Sequence, residues 1–139
     1  MTHSVHTEWK GNMLFDAEIS GHHLLFDAMP ESGGENKGPR PKELMLAALA
    51  GCTGMDVVAI LKKMRVSLGG FSVRVVSELT EEHPKHYKSM HIEYVFSGKE
   101  LPADKLEQAV QLSQEKYCGV SHMYKKAMPL TYEIKINSI

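Results

Sequence analysis

"LAALAGCTGMDVVAILKKM", residues 46–64, is the stretch on which the reading of this chain turns. From Leu44 to Leu61 apolar residues recur on nearly every side of a helix, and only Asp56 carries a charge. A helix that is apolar all round is buried on several sides. Yet Cys52 sits in its middle, held between Gly51 and Gly54. Each glycine inside a helix costs about 1 kcal/mol relative to alanine. A chain that weakens its greasiest helix around a cysteine has a thiol to expose or a neighbouring backbone to admit.

Pro41 suits the first turn of this helix, where its missing N–H costs nothing. Lys62, Lys63 and Arg65 suit the negative end of the helix dipole, so the helix is expected from Pro41 to about Arg65. Before it, "MPESGGENKGPRP" (29–41) reads as a long loop of the kind that often carries function. Earlier still, residues 4–10, 13–19 and 22–28 read as three strands, the last two joined at Ser20-Gly21. After the helix, alternation predicts strands over 71–79 and 89–98, separated by the polar turn "TEEHPKHYK". Pro102 opens a second helix expected over 103–117, and "PLTYEIKI" (129–136) closes the chain as a strand. The order βββ-α-ββ-α-β departs from strict βαβ alternation. It argues for one α+β domain over 1–139, with antiparallel sheets around a long central helix. A chain this small cannot wrap that helix on all sides, so a homodimer is expected.

Of the 139 residues, 42% are hydrophobic, enough for a folded core without disulfide or metal staples. A net charge of −1 offers no basic field for nucleic acid or an anionic membrane. The apolar run of 44–61 is interrupted by Gly51, Thr53, Gly54 and Asp56, short of the roughly 20 apolar residues of a membrane span. "MTHSVHTEWKGNM" at the amino end lacks a signal-peptide core, so the cytoplasm is the default location.

Cys52 and Cys118 are the only cysteines, and 66 residues separate them. They make no CxxC motif or zinc-ribbon spacing. In a reducing compartment a cysteine pair is transient and catalytic, or each thiol is a small buried hydrophobe. Cys52 lies too deep in its helix for the amino-terminal dipole to ionise it, so a cation must come from elsewhere. Arg40, at the loop's end, and Lys10, at the first turn, are the candidates. Glu43 stands in the first helical turn, where an acid complements the dipole. Nine residues before Cys52, it faces the opposite side of a straight helix. Asp56, at i+4, shares the face of Cys52 and requires a hydrogen-bonding partner if buried. Cys118 is expected at an exposed, mobile helix end beside Gly119. The eight histidines supply no HExxH and no third ligand for their pairs, and no phosphate loop is present, so no metal or cofactor is expected.

"PKELMLAALAGCTGMDVVAILKKM" (41–64), followed by "SQEKYCGVSHMYKKAMPLTYEIKI" (113–136), resembles the OsmC/Ohr family of osmotically inducible and organic-hydroperoxide-resistance proteins. The "GCT…DVV" helix is similar to that of an uncharacterised OsmC-like branch. The resemblance spans the whole chain. It implies an intertwined homodimer with thiol peroxidase sites at the subunit interface. Cys52 matches the peroxide-reacting cysteine and Cys118 the resolving one, with an external dithiol as reductant. In the best-known branch an early-turn arginine and a glutamate before the central helix activate the thiolate. Here Lys10 holds the early turn, Lys42 the glutamate's place, and Glu43 the position after it. No proline follows Cys118. The expectation is a thiol peroxidase acting on organic hydroperoxides. The alternative is a non-catalytic protein of the same fold that holds a small apolar ligand.

Overall fold

In the computed structural model, which describes residues 1–138, three short strands come first: β1 (His6–Trp9), β2 (Phe15–Ile19) and β3 (His22–Phe26). They pair antiparallel in the order β1-β2-β3. Ser20 and Gly21 join β2 to β3 as a two-residue turn with φ of 51° and 80°. Two positive φ values match the right-handed twist of the strands they connect.

The glycine-rich loop after β3 is pinned by Asp27, one of only two residues buried among those described in this first unit, Met1–Met45. Its carboxylate accepts backbone N–H bonds from Ala28, Glu35 and Lys37 at 2.8, 3.2 and 3.0 Å. The Lys37 bond does most to hold that carboxyl below the usual aspartate range. The loop then folds back so closely on the chain that a Cβ on Gly34 would sit 2.0 Å from the Ala28 carbonyl oxygen, just past β3. At Gly38 it would sit 2.3 Å from that of Leu25. These glycines shape the loop by permitting that approach.

The second unit, Leu46–Ile139, holds the core. Most of helix α1 (Glu43–Lys63) belongs to it, beginning two residues later than Pro41 because Pro41 and Lys42 form a turn. Leu49, Thr53, Val57 and Leu61, each four residues on, form its buried stripe. By length and composition α1 is apolar enough to cross a membrane, yet this stripe belongs to the protein core. Strands β4 (Gly70–Leu79) and β5 (Tyr87–Gly98) pair antiparallel, and β5 sends Met90, Ile92, Tyr94 and Phe96 into the core.

Three features depart from expectation. The second helix ends early, as α2 (Ala103–Leu112), and residues Ser113–Tyr117 wind as a π-helical turn closed by Cys118 N–H on the Ser113 carbonyl at 2.8 Å. A third helix, α3 (Gly119–Ala127), then starts directly after Cys118. Finally, β6 (Leu130–Ser138) pairs with β5 in parallel, where antiparallel pairing throughout was expected. The α2–α3 crossover supplies the long connection that a parallel neighbour requires. The α+β class stands.

One face of α1 is left open. Ala48, Gly51, Met55, Val58 and Ala59 are exposed on it, Met55 at 78%. With Phe71 and Val73 of β4, this face lines an open apolar groove of about 540 Å³. A Cβ on Gly51 would meet nothing within 4 Å, and one on Gly54 would touch Val73 Cγ2 at 3.5 Å.

Candidate active site

The fold brings Cys52 and Cys118 together across those 66 residues. Cys52 is half-buried on α1, and the Cys118 side chain and the backbone N–H of Val120 lie close enough to act on its thiol. Both are free thiols. Cys118 is 3% exposed, not on a mobile helix end as the sequence suggested. The reason is local. It caps α3, its Sγ accepting the Ser121 N–H at 3.4 Å, and its own N–H closes the π turn. A residue fixed on both sides by the backbone cannot fray.

Burial is the main force on the Cys52 thiol and pushes its pKa above the ordinary cysteine value. Cys118 and the Asp56 carboxylate act in the same direction, and only the Val120 N–H opposes them. No cation stands among these groups. Arg40, Glu43 and Lys10 belong to the first unit. Arg40 Nη2 donates to Asn36 Oδ1, while its Nη1 is buried with no hydrogen-bond partner. Lys10 pairs with Glu8 at 2.9 Å, and Glu43 is the exposed first residue of α1. No group of three or more His, Cys, Asp or Glu side chains suited to a metal occurs among the described residues.

Asp56 is half-buried and has a partner: Ser113 Oγ, in the π turn, donates to Oδ2 at 2.9 Å. Behind it lies a buried polar cluster that sequence reading missed. Thr53 Oγ1 lies 2.7 Å from Ser113 Oγ and 2.6 Å from the Tyr94 hydroxyl. Gln114 Nε2 donates to Tyr94 at 2.9 Å and to Ser121 Oγ at 3.0 Å. Burial pushes the Tyr94 phenol up to about 12. The one available signal was Thr53, the single hydroxyl in the greasy helix, next to Cys52. A second apolar cavity, of about 360 Å³, lies beside Asp56, lined by Ile60, Lys63, Met64, Leu112 and Tyr117.

The two thiols are thus neighbours, Cys52 half-buried and Cys118 buried and capped. Protein YhfA of Escherichia coli K12 is 35% identical over 130 residues, covering 93% of this chain and 94% of that protein. The crystal structure of a hypothetical protein from Aquifex aeolicus superposes with a TM-score of 0.83 at 33% identity, over 98% of each chain. An organic hydroperoxide resistance protein OsmC from Legionella pneumophila shares the fold at a TM-score of 0.71 and 18% identity, over 97% of each chain. The family model described as OsmC-like protein matches residues 34–133. By that match and these relatives, the chain belongs to the OsmC-like protein family.

Proposed function

We propose that this protein is a cytoplasmic homodimeric thiol peroxidase that reduces organic hydroperoxides. The observation that carries the reading is the close Cys52–Cys118 pair within an OsmC-like fold. The Cys52 thiolate attacks the terminal peroxide oxygen, the O–O bond breaks, and the alcohol leaves with a proton. Cys52 is then a sulfenic acid. Cys118 attacks its sulfur, expels water and forms the disulfide. An external dithiol returns both thiols by exchange. The apolar cavity beside Asp56 suits the organic part of the substrate. The open face of α1 is where a second copy would pack, since an apolar face of this kind on a soluble chain marks an interface.

The reading requires a cation at Cys52, because a raised thiol pKa leaves little thiolate at neutral pH. Arg40, with its unpartnered Nη1, is the proposed source, with Glu43 to hold the guanidinium and Lys10 as the alternative cation. Hydroperoxide consumption coupled to a dithiol tests the assignment. Cys52→Ser should abolish turnover. Cys118→Ser should consume about one equivalent and stop, with Cys52 left as sulfenic acid or over-oxidised. Undiminished turnover in Cys52→Ser would remove the peroxidase reading and leave a protein that binds an apolar ligand without turnover.

A further inference from the structure

The buried cluster behind the thiols has a direction. A carboxylate accepts and does not donate, so the Ser113 hydroxyl proton is committed to Asp56. Thr53 must then donate to Ser113 Oγ, and Tyr94 to Thr53 Oγ1. The Tyr94 oxygen in turn receives Gln114 Nε2–H. Every hydroxyl between Gln114 and Asp56 therefore has one orientation, fixed from the charged end. At the other end Gln114 donates to Ser121 Oγ, and the Ser121 N–H holds the Cys118 sulfur. Thr53 adjoins Cys52 in the chain. The cluster thus ties the backbone beside one thiol to the cap around the other.

Gln114 is the crosspiece, and its chemistry is costly for a residue that only fills space. Gln114 is 5% exposed, and its Oε1 is buried without a partner. An apolar residue of similar volume would avoid that orphan acceptor. Its main-chain carbonyl also receives Lys125 Nζ of α3 at 2.8 Å. We infer that Gln114, acting through Ser121, is a positioning residue that sets the approach of Cys118 to Cys52 and so the ease with which their disulfide closes. The inference rests on the proposed use of this pair as a redox couple and adds the residue that governs it.

The test is the dithiol–disulfide equilibrium of the full chain in glutathione buffers, read by mass after acid quenching. Each closure transfers two electrons and two protons from the protein dithiol to glutathione disulfide, forming one intramolecular S–S bond and releasing two glutathione thiols. Gln114→Met keeps volume and removes the amide, and Ser121→Ala, the milder change, removes the next link. Each should lower the closure constant roughly tenfold, the worth of one hydrogen bond, with melting temperature held within about 4 °C. The double variant should lose no more than the larger single loss, because both changes break one connection. If wild type closes and both variants keep its constant, Gln114 positions nothing while the redox pair stands. Losses that follow melting temperature and add in the double variant make the role structural and overturn the inference. If wild type closes at no buffer ratio, the redox pair itself falls, and the inference with it.

Discussion

At the scale of single residues, the site is a thiol held in check. Burial is the largest force on Cys52, but Asp56 is the one nearby group whose charge can be removed without changing shape. Its carboxylate disfavours a thiolate, so neutralising it must lower the thiol pKa. Asp56→Asn should therefore raise the rate of Cys52 alkylation at pH 8 about twofold and move the pH profile toward acid. The Asn side chain still accepts from Ser113, so the cluster stays closed. A slower rate, or an unmoved profile, would mean that Asp56 does not act on the thiol. Sequence alone placed Asp56 on the Cys52 face and asked for a partner if it was buried; it is half-buried, and Ser113 donates to it. Which hydroxyl would answer was not legible, because Ser113 lies 57 residues on and reaches Asp56 only through the packing of the π turn.

At the scale of elements, α1 is the piece whose character is plainest in the sequence and whose surroundings are least so. Its apolar composition and end signals predict a helix, and one is found at Glu43–Lys63. The open face of Ala48, Gly51, Met55, Val58 and Ala59 is what one chain leaves uncovered. Gly51 provides a sign test for what covers it. In an isolated chain its Cβ would meet nothing, so Gly51→Ala should stabilise the helix by roughly 1 kcal/mol. With a second copy packed closely there, the same methyl group intrudes on the seam. We expect Gly51→Ala to weaken association at least tenfold and to lower stability, as followed by sedimentation and denaturation over a range of concentrations. A gain of about 1 kcal/mol with the chain mass of 15.5 kDa unchanged would exclude a close seam at this glycine.

The second half of the chain shows where periodicity stops informing. Residues 103–117 carry a continuous helical signal, and nothing in it marks the slip from α to π winding at Ser113. That slip is closed by Cys118 N–H on the Ser113 carbonyl, five residues back, a bond that side-chain periodicity does not record. The parallel pairing of β6 with β5 is likewise hidden, because strand alternation records burial and not direction.

At the scale of the whole molecule, the family and the two thiols were legible because they rest on residue identity at fixed places. Cys52 between glycines and Cys118 before Gly119 survive as landmarks whatever the helices between them do. Which cation would serve Cys52 was not legible, because Arg40 and Lys10 lie in other segments and their side chains bond to Asn36 and Glu8. The proposed chemistry requires one event, the closure of a Cys52–Cys118 disulfide driven by peroxide. Reduced protein treated with one equivalent of an organic hydroperoxide, blocked with an alkylating agent and digested, gives that event directly by mass spectrometry. The account predicts an intact mass lower by two hydrogens and a cross-linked peptide pair containing Cys52 and Cys118, both lost on adding a dithiol. Recovery of both cysteines alkylated, with the hydroperoxide unconsumed, would contradict it.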